Sequence, residues 1–361
     1  MYDVAVIGAG PAGATFARLI GSNYRVLLVE RRESAGATAR FGSGKCCGGL
    51  LAPDAQKMLS ALGLGLPKKV LEDPQLFVVK AIDLRQHIAR YYQRHYINMD
   101  RQEFVRWLLS MLPGGVDIRL GCRLKSYSSA DAGFELTLAD GNRTLVEKAR
   151  ILVGADGASS AVRAQFAARE PSPRRYIAIQ EWVECRGSFP HFTSLFDAEI
   201  TDYYCWTIPK GEYLIIGAAL EPREGTAAKF ELLKHKLRQY GFEFGRTVCR
   251  EGAFILRPAR TNQLCTGGRG IALLGEAGGW ISPSSAEGLS YAFRSAVNLA
   301  ESLRTTPDGF EKRYAASTRP LRRNIFLKKL KALFIFQPWL RRIVMRSGLQ
   351  SMQVNAEPRP K

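Results

Sequence analysis

A chain of 361 residues, 46% hydrophobic and 24% charged, has room for a large buried core and the composition of a globular protein. No stretch reaches the roughly 18 apolar residues that a spanning helix needs, which excludes helical membrane spans. The net charge of +19 is unevenly placed: between Lys312 and Ala356 stand eleven Lys and Arg and no Asp or Glu, a block that suits anionic partners such as lipid headgroups or nucleic acid.

The chain opens with a short apolar run, Tyr2 to Ile7, that ends in Gly8-Ala9-Gly10-Pro11-Ala12-Gly13. A helical pattern follows to about Ile20, then an apolar strand from Arg25 to Val29 that ends at Glu30, with Arg31 next to it as a further cofactor-binding candidate. This is a βαβ unit, and its early strand leaves no room for a leader segment. Residues 31–51 are rich in Gly and Ser and lack periodicity, so they read as a long loop, a kind of segment that tends to be functional inside a compact domain. Strand character is expected at 77–83 and an amphipathic helix over 101–111. Further strands are expected at 117–120, 134–138, 144–147 and 151–153. Residues 176–256 alternate strands with one helix near 229–240, which suits a separate sheet. A strand at 270–274 and a long helix from Ser285 to about Arg304 complete the pattern.

The first Gly-rich turn carries chemistry through its backbone. Gly8 permits the tight strand-to-helix turn, Gly10 lets the backbone approach a pyrophosphate, and Gly13 brings the helix close to the strand, with Ala12 inside the same turn. Glu30 stands where a carboxylate accepts hydrogen bonds from an adenosine ribose. Strand, turn, helix and acid together indicate a dinucleotide site, without separating NAD from FAD. Among the other groups, seven Cys without metal-ligand spacing read as a reduced, cytoplasmic thiol set. The four His (His87, His95, His191, His235) are dispersed, so no metal site is expected.

Two later segments resemble the flavin motifs of the para-hydroxybenzoate hydroxylase-like flavoproteins. One is Asp156-Gly157-Ala158-Ser159-Ser160 with Arg163, and the other is Gly275-Glu276-Ala277-Gly278 with Glu287-Gly288-Leu289. The resemblance implies FAD as cofactor, Glu276 (Asp is usual there) on the ribityl chain, and the helix beginning at Gly288 and Leu289 near the pyrophosphate and flavin. It also implies a cofactor contact for Arg101. Cys47-Gly48-Gly49-Leu50-Leu51 and Tyr204-Cys205-Trp206-Thr207-Ile208-Pro209 resemble signatures of geranylgeranyl-reductase-like oxidoreductases, within them the CbrA-like bacterial branch. The second segment is also one residue from the Trp-x-Trp-x-Ile-Pro signature of flavin-dependent halogenases.

The family reading implies reduction of C=C bonds in an isoprenoid or other lipid-like substrate. Cys47 then supplies or relays a proton or tunes the flavin electronically, while Gly48, Gly49, Tyr204, Trp206 and Pro209 meet the substrate; NAD(P)H, as a transient electron donor, or another carrier reduces the flavin. Two alternatives stay open: a flavin monooxygenase or halogenase, and a membrane-associated flavoprotein that binds a lipid without turning it over. Tyr204 and Trp206 alternate on one strand and so share a face, which also fits plain sheet core. In the basic tail, residues 319–346 interleave cations with large apolar side chains and Pro338 divides them into two helices, a pattern of an interfacial helix or of a C-terminal cap. Nucleic acid is not expected, since no binding motif accompanies the charge.

The expected fold class is α/β. A Rossmann-like FAD-binding domain comes from residues 1–75, 96–165 and 258–305, with an inserted antiparallel-sheet substrate domain at 76–95 and 166–257. Basic amphipathic C-terminal helices occupy 306–361. The expected location is the cytoplasm, peripheral on the cytoplasmic face of the membrane.

Overall fold

The computed structural model describes residues 1–33, 46–187 and 189–353; residues 34–45 of the expected long loop lie outside the described residues, as do the last residues of the tail. Two sheets dominate the architecture. The first is built on Tyr2–Ile7, which pairs in parallel with Val26–Glu30 on one side and Arg143–Gly154 on the other. Val116–Leu120 lies beyond Val26–Glu30, and Ile271–Leu273 lies beyond Arg143–Gly154. Strand alternation sorts the side chains between two cores. Val4, Val6, Leu28 and Val153 pack on Phe16 of helix Pro11–Ile20 and on Leu299 of helix Leu289–Thr305. Ala5, Ile7, Leu27 and Val29 pack on the other face with Leu136 and Leu138. Both faces are covered, so these strands are continuously apolar instead of alternating. Each fully buried Leu, Val or Phe contributes about 1.5–3 kcal/mol over leaving it exposed.

The second sheet has eight strands in the order Phe244–Arg257, Arg174–Cys185, Tyr213–Leu220, Cys205–Lys210, Phe192–Phe196, Leu76–Asp83, Ile88–Asn98 and Leu50–Leu51. Its pairs are antiparallel except for Phe192–Phe196, which runs parallel to Leu76–Asp83. These two strands are separated in the chain by four of the first sheet's eight strands, so no hairpin forces them antiparallel. Helix Thr226–Gln239 covers one face through Phe230, Leu233 and Leu237. The other face carries Tyr176, Trp206, Ile208 and Ile215.

Several elements differ from the sequence reading. The expected strands at 144–147 and 151–153 are one strand, Arg143–Gly154, whose first half closes a hairpin with Gly133–Asp140 and whose second half is a central parallel strand. Helix Pro53–Ala61 and strands Ile88–Asn98 and Cys122–Ala130 were not foreseen. The second sheet takes in Leu50–Leu51 and extends through residue 98, past the boundary drawn at 95. The tail forms helices Phe310–Ser317, Arg319–Phe336 and Pro338–Ser347, broken at Pro338 as proline requires. No helix among the described residues is long and apolar enough to cross a membrane.

Candidate active site

A cavity of about 2020 Å³ runs between the two sheets, roughly twice the upper end of the usual range for a single small-molecule pocket. At one end lies the Gly8–Gly13 turn. Gly8 has φ +106°, and a Cβ there would meet the Ala155 carbonyl oxygen at 2.5 Å; a Cβ on Gly13 would overlap the Gly8 carbonyl. Gly13 therefore does not line the cavity but seats the helix on the turn. A Cβ on Gly10 would meet nothing within 4 Å, and Gly10 lines the cavity with Ala9 and Ala12. The backbone is thus open where an anionic group would approach the first turn of helix Pro11–Ile20.

Glu30 is held at that place. Its carboxylate accepts from the amide of Ala9 at 3.0 Å and from that of Arg32 at 3.1 Å. Arg31, Arg32 and Arg101 also line this end. Burial lowers the Arg32 pKa first of all, and the neighbouring cations Arg31 and Arg101 lower it further against the pull of Glu30. Arg101 opens helix Arg101–Leu109, fixed by Asp100, which accepts from the amides of Gln102 and Glu103 at 2.7 and 2.9 Å. The Nη1 of Arg101 is buried with no partner among the described residues.

Asp156 and Gly157 form the next stretch of the wall. Asp156 Oδ2 accepts from the amides of Ala161 and Val162, while Oδ1 is buried without a partner among the described residues. Burial drives the Asp156 pKa up, opposed by the hydrogen bonds it accepts. Glu276, Gly288 and Leu289 line the cavity close by. The extra methylene of Glu276 lets its Oε1 reach across and accept from the Leu256 amide of the second sheet at 2.8 Å, a bond that ties the two sheets together at the cofactor cradle.

Beyond this cradle the wall becomes apolar. Cys47 and Gly48 line it, with Tyr204, Trp206 and Ile208. The Tyr204 and Trp206 rings lie 5.5 Å apart at 48° and both line the cavity, although Tyr204 stands just before strand Cys205–Lys210 and not on it as expected. Both also belong to the aromatic core of the second sheet, so the core and cavity-wall readings hold together. Tyr204 donates to the Ser285 carbonyl at 2.8 Å. Burial pushes its pKa well above the ordinary phenol value, and the nearby Tyr203, Tyr96 and Cys47 add to that shift. The indole Nε1 of Trp206 is buried and without a partner among the described residues.

Gly49 and Pro209, expected against substrate, stand behind the wall instead. Gly49 has φ +61°, and a Cβ there would collide with the Met99 carbonyl and with Lys210 Nζ. Pro209 presents its carbonyl to Asn98 Nδ2 at 2.8 Å. The sequence reading missed the groups that seat the Cys47 loop. Lys210, only 1% exposed, donates to the carbonyls of Met99 at 2.8 Å and Gly49 at 3.2 Å. Gln180, fully buried, donates to the Cys47 carbonyl at 3.4 Å and to Glu251 at 2.9 Å. Lys210 follows directly on the Tyr-x-Trp-x-Ile-Pro segment, and a charge ending an otherwise apolar strand was the available signal.

These features fit FAD. The glycine turn is open at Gly10, an acid is fixed where a ribose would sit, and Asp156 and Arg101 hold buried polar atoms for a polar ligand. A profile described as an FAD binding domain matches residues 1–226. The chain belongs to this FAD-binding family. Protein CbrA of Escherichia coli (strain K12) is 39% identical over 350 residues, covering 96% of this chain and 97% of that one. Among solved structures, a geranylgeranyl bacteriochlorophyll reductase-like protein from Thermoplasma acidophilum has a TM-score of 0.73 at 15% identity, covering 96% of this chain and 98% of that one. PqsL, a probable FAD-dependent monooxygenase from Pseudomonas aeruginosa, has a TM-score of 0.69 at 18% identity, covering 96% and 99%. These two likenesses are of fold. Family membership makes the protein an FAD-dependent oxidoreductase, in a fold shared by reductase-like and monooxygenase flavoproteins.

Proposed function

We propose that this flavoprotein reduces C=C bonds in an isoprenoid or other lipid-like substrate. The observation that supports this most is one continuous cavity that joins the cofactor cradle to an apolar compartment walled by Cys47, Tyr204, Trp206, Phe192 and Phe196. FAD, held along the glycine turn, Glu30, Arg101 and Asp156, would when bound and reduced supply the hydride for one alkene carbon. Cys47 Sγ donates the proton to the other carbon, completing the addition of two hydrogens. Gln180 and Lys210 hold the Cys47 loop through its backbone. Tyr204, kept protonated by burial, stays a neutral wall tied to Ser285, and with Trp206 excludes water from a flat, greasy chain. NAD(P)H, or another carrier, reduces the flavin transiently, and the enzyme works at the cytoplasmic face of the membrane.

Monooxygenation is the second reading, favoured by the Tyr-x-Trp-x-Ile-Pro segment that here walls the cavity. Mass spectrometry separates the two. With reduced FAD and a prenyl lipid in the absence of oxygen, a product heavier by two hydrogens per double bond supports the reductase. A product that forms only in air and carries an added oxygen overturns it.

A further inference from the structure

Helices Arg319–Phe336 and Pro338–Ser347 bury a narrow seam, Leu321, Ile325 and Ala332 in the first and Arg341 and Met345 in the second. Away from that seam, Phe326, Leu327, Leu330, Leu333 and Phe334 are 41–54% exposed. At 100° per residue these five side chains fall within an arc of about 120°. Trp339, 63% exposed, and Ile343, 59% exposed, continue the pattern one turn apart on the second helix. Lys329 and Lys331 flank the stripe, and Arg323, Arg342 and Arg346 are exposed beside it. No acidic residue occurs between 319 and 346. A contiguous exposed apolar stripe flanked by cations and by no acid marks an interaction site.

We propose that this helix pair is a preformed docking surface for an anionic lipid bilayer, and that it places the mouth of the flavin cavity at headgroup level. Cations complement the anionic headgroups while the apolar stripe enters the boundary of the acyl chains. A nucleic acid would match the charge but would leave the Phe and Leu side chains facing water and phosphate. A second copy of the chain would bring cations against cations in a two-fold contact.

The surface is built before it meets lipid. Phe336, at the end of the first helix, packs 5.0 Å from the Tyr203 ring with the Arg257 guanidinium 4.5 Å from its own. Arg341 of the second helix donates to Asp83 at 2.8 Å, both side chains being buried. Docking therefore requires no coil-to-helix transition. Phe334 and Leu349 are exposed and also line the cavity, with Ile335 and Val344 beside them. A lipid chain can pass from the bilayer to Tyr204 along apolar side chains; this passage rests on the reductase reading, whereas docking itself does not.

The test uses the full-length, FAD-loaded protein without substrate and vesicles of phosphatidylcholine with or without phosphatidylglycerol. Co-sedimentation with the anionic vesicles, a blue shift of tryptophan emission that disappears in Trp339→Phe, and unchanged far-ultraviolet circular dichroism are expected. Leu330→Glu with Phe334→Glu, or Arg342→Ala with Arg346→Ala, should weaken binding roughly tenfold or more, with retained FAD absorbance reporting an intact fold. No sedimentation with anionic vesicles, undiminished binding by both variants, or a gain of helix on binding would each overturn the proposal. So would a dimer that Leu330→Glu dissociates.

Discussion

Cys47 owes its place to its neighbours' backbones: the carbonyls of the Cys47–Gly49 loop accept from Gln180 and from Lys210, two side chains with almost no contact with solvent. Removing the thiol should leave that seating intact. Cys47→Ala is expected to keep FAD while losing about 10²- to 10⁴-fold in alkene reduction, the usual contribution of a positioned proton donor; unchanged turnover in a single-turnover assay would remove Cys47 from the chemistry. Asp156 makes a different prediction. Burial raises its pKa, so its charge costs the apoprotein stability above that raised pKa, and the cost is relieved as pH falls through it. Asp156→Asn keeps an acceptor for Ala161. It should raise the apoprotein melting temperature at neutral pH, lose that advantage in acid, and weaken FAD retention. Thermal melts across pH with and without FAD check all three.

At the scale of elements, the C-terminal helices are fastened by pairs that span the chain. Arg341 and Asp83 are 7% and 1% exposed, and removing one partner of such a buried pair costs about 3–5 kcal/mol. Asp83→Ala should therefore free the last helix to proteolysis before the rest of the fold, as timed digestion would show. Asp54 is raised by burial, but Lys328 outweighs that with help from Arg294 and Arg94, and the net shift is downward. This pair contributes stability above the ordinary Asp range that is lost as pH falls through the lowered value. It is partly exposed, so its share is well under about 1 kcal/mol. Dissociation of the Arg319–Phe336 helix should sharpen only slightly in acid, measurable by hydrogen exchange.

These contacts mark the boundary of what the sequence made legible. The glycine turn, the Asp156-Gly157 stretch and the strand that carries Trp206 are local patterns with local causes, and they could be read directly. The bond from Glu276 to Leu256 crosses between the two sheets, and the seat of Lys210 under Gly49 and the clamp of Arg341 on Asp83 join residues far apart in the chain. Strand Ile88–Asn98 was missed because its Arg, Gln, His and Tyr side chains hide its period, although it walls the cavity through Tyr92, Arg94 and Tyr96.

At the scale of the whole molecule, the two sheets meet at a cavity that a bound cofactor would partly fill. Binding to the folded state alone should stabilise it, by about 2.7 kcal/mol with FAD at a hundredfold excess over its dissociation constant. A melting temperature that does not rise with added FAD would contradict the cradle described here. The central claim is that electrons leave this cavity for an alkene. The most direct test is stopped-flow spectroscopy under strict anaerobiosis, mixing the dithionite-reduced, FAD-loaded protein with a prenyl lipid and following the return of oxidised-flavin absorbance. The account predicts reoxidation whose rate rises with lipid concentration and collapses in Cys47→Ala. A flavin that stays reduced until oxygen is admitted would contradict it.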